Sequence, residues 1–94
     1  IAGIAYKPNV PDLRESPGIE LLHELRDLGA TVTWHDPVVQ ELNQEKSSDL
    51  EINIDLGLIV TPHKIMNLVP WKESEVKVLD LSVGPKNLGW PKYF

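Results

Sequence analysis

With 94 residues, 41% of them hydrophobic, the chain is long enough for one compact domain with a modest core. Its formal net charge of −5 argues against nucleic acid and against an anionic membrane as partners. The absence of cysteine excludes a disulfide framework, a thiol nucleophile and a zinc–thiolate site, and it fits a cytoplasmic protein.

The sequence also lacks the usual signs of membrane targeting. No apolar run approaches the roughly 18 residues that a membrane span needs, and no signal peptide is visible. The first residue, Ile1, already lies inside an apolar, strand-like stretch, and no Met precedes it. We therefore expect residues 1–94 to form a single domain taken from a longer polypeptide.

The opening stretch predicts a strand, a stiff loop and a helix start. Residues 1–5 are small and aliphatic, as in a strand buried on both faces of a parallel sheet. Pro8 and Pro11 restrict the following loop, and Ser16 and Pro17 are typical of a helix N-cap and first helical position. Such a junction is where α/β folds bind ligands, because free backbone N–H groups and the helix dipole point there.

Two cations, Lys7 and Arg14, flank this junction, and the combination predicts an anion site for phosphate. Taken alone, however, Lys7 is equally well explained as a solvated surface lysine. For Arg14, the local sequence slightly favours a surface pair with Asp12 or Glu15 over ligand binding. Tyr6 precedes Lys7, and a tyrosine at such a position more often packs against the edge of a core than stacks on a ligand.

An amphipathic helix is predicted for residues 16–28. Its apolar residues fall at helical spacing, at Ile19, Leu21, Leu22, Leu25 and Leu28. Gly29 suits the left-handed position that ends a helix, and residues 31–35 are β-branched and aromatic, as in a strand. Strand, helix and strand then form a right-handed βαβ unit. We expect the helix to pack on the sheet through Ile19, Leu22 and Leu25.

The second half of the chain predicts two more strands. Residues 38–56 are polar and uneven, which indicates a short helix or a loop. Residues 58–60 and 76–81 predict buried strands, and residues 64–68 a short helix that ends before Pro70. The tail is expected to pack its aromatic residues on the domain. The predicted fold is a small Rossmann-like three-layer α/β domain with a mainly parallel sheet of about four strands.

No catalytic set or metal site is recognisable in the sequence. There is no GxGxxG or Walker-type loop and no Ser/His/Asp arrangement. His35 and His63 follow strands without acidic or cysteine partners at metal-ligand spacing, so we expect no metal. His63 faces a cleft or, more commonly for such a residue, packs inside. Asp36 before Pro37 is explained by a turn.

Three motifs together resemble a known protein family. They are Gly3-x-Ala5-Tyr6-Lys7-Pro8-Asn9-Val10-Pro11-Asp12-Leu13-Arg14-Glu15-Ser16-Pro17, Leu25-x-x-x-Gly29-Ala30-x-Val32 and His35-Asp36-Pro37. Residues 1–37 closely resemble the start of the C-terminal, UDP-sugar-binding domain of the UDP-glucose/GDP-mannose dehydrogenase family. The likeness is fainter at residues 58–63 and 76–80. The Tyr-Lys-Pro-Asn and His-Asp-Pro forms look nearest to members that act on UDP-N-acetylhexosamines.

The resemblance implies one part of an NAD-dependent enzyme of polysaccharide biosynthesis. The family oxidises the C6 hydroxyl of a nucleotide sugar such as a UDP-sugar to a carboxylate, with two NAD. It combines an N-terminal NAD-binding domain, a central dimerising region with a Cys nucleophile and a C-terminal domain like this one, so the parent is expected to be a homo-oligomer.

By resemblance, Tyr6 and Lys7 match positions that contact the nucleotide-sugar substrate. Arg14 matches a position that reaches NAD across the cleft between domains, and Asp12 and Glu15 then help to aim it. The fragment alone is expected to be inactive, because it lacks both the nucleophile and the dinucleotide-binding domain.

One departure from the family pattern concerns the substrate. After the strand at residues 76–81 the family carries Asp-x-Arg, whose arginine holds substrate, whereas here the run is Asp80-Leu81-Ser82. Lys86 could supply charge but not the bidentate fork of an arginine. The rival interpretation is a non-catalytic nucleotide-sugar-binding or interaction module with a degenerate site. A dinucleotide fingerprint and a Cys-containing Gly-rich segment upstream of Ile1 would identify the enzyme.

Overall fold

The computed structural model describes residues 1–83 and 88–91. Its regular elements, in chain order, are α1 (Pro17–Asp27), β1 (Glu41–Leu42), β2 (Glu45–Lys46), β3 (Gly57–Ile59), α2 (Val69–Glu73) and β4 (Val78–Asp80). Neither helix in this part of the chain has the length and apolar character needed to cross a membrane.

Four parallel segments form the centre of the domain. β3 pairs with β4 in parallel, with Ile59 opposite Asp80. Ala2 makes parallel bridges to both His35 and Ile59. The order across the sheet is therefore residues 33–35, residues 1–3, β3 and β4, which confirms the prediction of a mainly parallel sheet. The regular strands are shorter than the sequence indicated, since residues 1–5 and 31–35 pair only around Ala2 and His35.

Gly3 explains why the opening segment pairs so briefly. Its φ of +87° lies in the left-handed region, and a Cβ built on it would lie 1.9 Å from the carbonyl oxygen of Thr61. The turn at Gly3 also changes which face the following residues occupy. Ala2 packs in one hydrophobic cluster, whereas Ile4 and Ala5 pack in the other.

The sheet is covered on both faces. One cluster contains Leu22 of α1, and the other contains Trp71 of α2. The first cluster is built from Ile4, Ala5, Leu22, Trp34 and Val39, and the second from Ala2, Ile59, Trp71 and Val78. Helix, sheet and helix give the three layers expected for a Rossmann-like domain.

Helix α1 begins and ends at the predicted signals. Ser16 is its N-cap and accepts a hydrogen bond from the backbone N–H of Ile19, and Gly29 follows the helix with a φ of +97°. Leu22 is 1% exposed and belongs to the core. Leu25 is only half-buried and lies outside both clusters, so the packing stripe is narrower than predicted.

Within residues 38–56, for which the sequence predicts a short helix or a loop, residues 41–46 form a hairpin and the remainder is an irregular loop. β1 and β2 pair antiparallel around Asn43 and Gln44, whose φ values are +48° and +69°. Two successive residues with positive φ make the tight turn that joins antiparallel strands. Arg26 of α1 holds the hairpin, because its guanidinium donates to both carboxylate oxygens of Glu45 at 2.8 and 2.9 Å.

The short helix predicted at residues 64–68 is wrong in position. The structure has a turn there, and α2 begins at Val69 with Pro70 in its first turn. Proline lacks an N–H that the first turn would leave unpaired anyway, so Pro70 starts this helix rather than preventing it.

The described part of the tail packs as predicted. Trp90 lies against the cluster of Trp71, and the ammonium of Lys72 lies 4.9 Å from the centre of its ring. The backbone N–H of Asp80 donates to the carbonyl of Pro91, which places the tail alongside β4. The other tail aromatics, Tyr93 and Phe94, lie outside the described residues.

Leu22→Ala should lower the free energy of unfolding by about 2–5 kcal/mol, because it removes fully buried methyl groups and leaves a cavity. The matched control is Leu28→Ala, since Leu28 is 83% exposed. Urea unfolding followed by tryptophan fluorescence measures both. Equal stability of the two variants would show that Leu22 is not part of the core.

Candidate functional site

Polar residues gather where three neighbouring parallel segments end. Lys7 follows the opening segment, Asp36 follows residues 33–35, and His63 follows β3. The opening segment lies between the other two. The chain continues from it to residues 33–35 on one side and only later to β3 on the other side. Ligands of open α/β sheets bind at such a point, outside the carboxyl ends of the strands.

The carboxylate of Asp36 lies at the centre of this edge and is fully buried. It accepts hydrogen bonds from three separate parts of the chain. The donors are the backbone N–H groups of Ile4 at 2.9 Å, Ala5 at 3.2 Å, Val38 at 2.8 Å and Val39 at 3.0 Å, together with Nε2 of His63 at 2.9 Å. Asp36 thus fastens the end of the opening segment to the two segments beside it.

These hydrogen bonds decide the charge of Asp36. Burial by itself would raise the pKa of this carboxyl, since desolvation disfavours a charge. The hydrogen bonds from His63 and from the backbone N–H groups of Ile4, Val39 and Val38 outweigh burial and hold the pKa below its ordinary value. Asp36 is therefore an ionised carboxylate inside the domain.

His63 connects Asp36 to the loop that carries Lys7. The backbone N–H of Asn9 donates to Nδ1 of His63 at 2.7 Å, and the backbone N–H of Lys64 donates to Oδ1 of Asn9 at 2.7 Å. His63 itself is buried. It packs inside the domain, which is the commoner of the two predicted positions. Its Nδ1 contacts the loop.

The backbone at the end of the opening segment is held by side chains. Thr61 Oγ1 donates to the carbonyl of Ala5 at 2.7 Å, and Ser16 Oγ donates to the carbonyl of Ile4. One residue further, the N–H of Tyr6 donates to the carbonyl of Asp12 at 2.6 Å and closes the base of the loop. The side chains that follow this fixed backbone, those of Tyr6 and Lys7, are exposed.

A groove of about 480 Å³ opens beside Tyr6 and Lys7, between α1 and the ends of β3 and β4. Its walls are mainly apolar. They include Pro17, Leu21, Val60, Pro62, Leu81 and Val83. Among the described residues, Lys7 is the cation that lines this groove, and Glu20 and Glu24 on α1 line it with carboxylates. An anionic ligand is therefore favoured next to Lys7 and disfavoured along α1.

Arg14 lies in a different hollow, of about 290 Å³, whose walls also include Tyr6, Asp12 and Glu15. Its side chain is 88% exposed, and its Nε and Nη2 donate to the two carboxylate oxygens of Asp12 at 3.1 and 2.9 Å. These bonds lower the pKa of Asp12 to about 2. The surface pairing considered for Arg14 is thus present, and its role toward NAD stays a prediction.

At the position after β4 where the resemblance predicts a substrate arginine, the chain has Ser82 in a closed turn. Both the N–H and the hydroxyl of Ser82 donate to the carboxylate of Asp80, and both residues are buried. Ser82 lines the groove, so the position faces the same space as Lys7. Lys86, the candidate substitute, lies outside the described residues.

The Asp36–His63 pair is the feature that sequence reasoning missed. The two residues are 27 positions apart, and the local sequence predicts only a turn residue at Asp36 and a packed histidine at His63. The available signal is that each residue lies shortly after a strand, because strand ends of a parallel sheet meet at one edge. Among residues 1–83 and 88–91, no group of three or more His, Asp or Glu side chains could hold a metal ion.

Comparison with known proteins gives a family match over most of the chain. Residues 1–83 match the model of the UDP-glucose/GDP-mannose dehydrogenase family, UDP binding domain. The UDP-glucose 6-dehydrogenase AglM of Haloferax volcanii is 34% identical over 70 residues, which are 65% of this chain and 16% of that protein. The UDP-glucose 6-dehydrogenase of Rhizobium meliloti is 46% identical over 37 residues, which are 39% of this chain and 8% of that protein.

A third relative, Protein CapL of Staphylococcus aureus, is 30% identical over 71 residues, which are 68% of this chain and 17% of that protein. The chain spans less than a fifth of the length of these relatives. No significant match to a solved structure was found.

Asp36→Asn should lower the free energy of unfolding at neutral pH by at least about 3 kcal/mol. The amide loses the charge and turns an NH₂ group toward backbone donors, and each bond to a charged acceptor contributes roughly 1.5–3 kcal/mol. Because the folded pKa of Asp36 lies below the unfolded value of about 4, its contribution is present above that pH and is lost as the pH falls through the folded pKa. Urea unfolding from pH 7 to pH 2 should therefore show a smaller acid loss in the variant than in the wild type. Parallel curves would contradict this assignment.

Proposed function

We propose, from the fact that the chain belongs to the UDP-glucose/GDP-mannose dehydrogenase family, that it binds the diphosphate of a UDP-sugar at the edge formed by Tyr6 and Lys7. The observation that carries this proposal is the position of Lys7. It is an exposed cation at the carboxyl end of the central parallel segment, beside a groove of about 480 Å³. An apolar groove whose described lining includes the cation Lys7 suits a ligand with an uncharged ring and a diphosphate.

Tyr6 and Lys7 make different contacts with the ligand in this proposal. The ammonium of Lys7 provides a charge-assisted contact for the diphosphate, because a lysine acts as a compact point charge. Tyr6 is 49% exposed and lines both the groove and the hollow of Arg14, so it can contact the nucleotide sugar on the side of Lys7. The carboxylates of Glu20 and Glu24 keep the charged part of the ligand near Lys7.

The whole protein, in this proposal, is an NAD-dependent UDP-sugar 6-dehydrogenase. Oxidation of the C6 hydroxyl to the carboxylate needs two hydride acceptors and a nucleophile to hold the aldehyde. The chain has no cysteine, so other domains of the same polypeptide supply the nucleophile and most of the NAD site. The fragment by itself is then inactive, and the parent is a cytoplasmic homo-oligomer.

Arg14 is the residue of this chain that fits a contact with NAD. Its guanidinium is exposed, is held by Asp12 along one edge, and lines its own hollow rather than the groove of Lys7. NAD, when bound, accepts hydride from the sugar. Arg14 would hold the cofactor's negative charge from across the cleft between domains.

A non-catalytic binding module is the second candidate, and one observation favours it. Ser82 stands where the family pattern has the substrate arginine, and Ser82 is bonded to Asp80 rather than open to a ligand. Reduction of NAD by the longer polypeptide with UDP-glucose or UDP-N-acetylglucosamine would identify the enzyme. Binding of these sugars without turnover would identify the module.

Lys7→Ala should weaken the binding of UDP to the 94-residue chain by about tenfold to a hundredfold. The loss corresponds to one charge-assisted contact, roughly 1.5–3 kcal/mol. Titration calorimetry measures the dissociation constant. Lys46→Ala is the control, since Lys46 is exposed on β2 and does not line the groove. Equal binding by both variants would place the diphosphate elsewhere.

Arg14→Ala in the longer polypeptide should raise the KM for NAD and leave the KM for the UDP-sugar nearly unchanged. Arg14→Lys should restore only part of the loss, because the charge remains and the bidentate fork does not. Steady-state kinetics with each ligand varied in turn measures both constants. If neither constant changes, Arg14 is only the surface partner of Asp12.

A further inference from the structure

We propose that His63 is a positioning residue for Lys7. It holds the loop that carries Lys7 in the shape that binds a diphosphate, without contacting the ligand. This inference rests on the proposed function for its ligand, while the anchoring of the loop can be tested without any ligand.

The loop between Tyr6 and Asp12 is fixed at two places. At its base the N–H of Tyr6 donates to the carbonyl of Asp12. At its tip Asn9, with a φ of +68°, donates its backbone N–H to Nδ1 of His63. Lys7 lies between base and tip, so its position follows from both anchors.

The tip anchor reaches far across the chain. Asn9 and His63 are 54 positions apart, and Asn9 and Lys64 are 55 apart. The two bonds work together, because Asn9 gives its N–H to the His63 ring and takes the Lys64 N–H on its side-chain oxygen. Every residue from Tyr6 to Pro11 is exposed, so core packing does little to hold the tip of the loop.

The partners of His63 determine which of its nitrogens carries the proton. A backbone N–H can only donate, so Nδ1 must present its lone pair to Asn9. The proton is then on Nε2, which lies 2.9 Å from each carboxylate oxygen of Asp36. The buried carboxylate thereby orients the ring, and the ring orients the loop.

Two substitutions separate these two contacts. The side chain of Gln places its NH₂ near the position of Nε2, so His63→Gln keeps a donor for Asp36 and loses the acceptor for Asn9. The side chain of Asn places its oxygen near the position of Nδ1, so His63→Asn keeps the acceptor for Asn9 and loses the donor for Asp36. A merely structural role would make the second variant, which weakens the buried carboxylate, the worse binder.

The experiment measures UDP binding by calorimetry and hydrogen exchange of the Asn9 amide by NMR in the unliganded 94-residue chain. We expect His63→Gln to bind UDP at least tenfold more weakly than the wild type, with faster exchange at Asn9. We expect His63→Asn to stay within about threefold of the wild-type affinity, with protected Asn9, although its thermal midpoint falls.

Wild-type exchange at Asn9 and wild-type affinity for UDP in His63→Gln would overturn the inference, and so would weaker binding by His63→Asn than by His63→Gln. Should His63→Asn fail to fold, the exchange rate at Asn9 in His63→Gln decides alone. Failure of the wild-type chain to bind UDP would overturn the proposed function, and the same exchange rate would still decide whether His63 holds the loop.

Discussion

The sheet edge that carries Lys7 depends on the hydrogen bonds of the buried Asp36 carboxylate. A buried charge is strongly unfavourable unless hydrogen bonds replace the water it loses. Here four backbone N–H groups and one imidazole do so, and they come from the opening segment, the turn after residues 33–35 and the end of β3. The hydrogen bonds of Asp36 are therefore complete only when these three parts of the chain have come together.

Asp36 also explains how the backbone at this edge of the sheet is held in place although the parallel strands pair over only a few residues. The opening segment bridges its neighbours only at Ala2, because Gly3 turns the backbone against Thr61. The N–H groups of Ile4 and Ala5 would be unpaired beyond that point, and a buried unpaired N–H is costly. Side-chain acceptors and donors replace the strand neighbours there, so the exposed residues that follow start from a fixed backbone.

Lys7 and Arg14 line two different cavities. Lys7 belongs to the groove beside α1, whereas Arg14 belongs to the smaller hollow and is held by Asp12. Tyr6 lines both. In a chain with a net charge of −5, the proposed function assigns one anionic ligand to each of these two cations, and each cation lines its own cavity.

The sequence by itself determined the features whose causes are local. The caps of α1 are set by Ser16 and Gly29, and the exposed end at Lys7 follows from a short apolar run and two prolines. Only the tertiary structure decided the contact of the hairpin with α1, through Arg26 and Glu45, and the Asp36–His63 pair, which joins residues 27 positions apart. A local pattern reports the conformational preferences of neighbouring residues, whereas the partner of a buried charge is decided by which strand ends meet when the sheet forms.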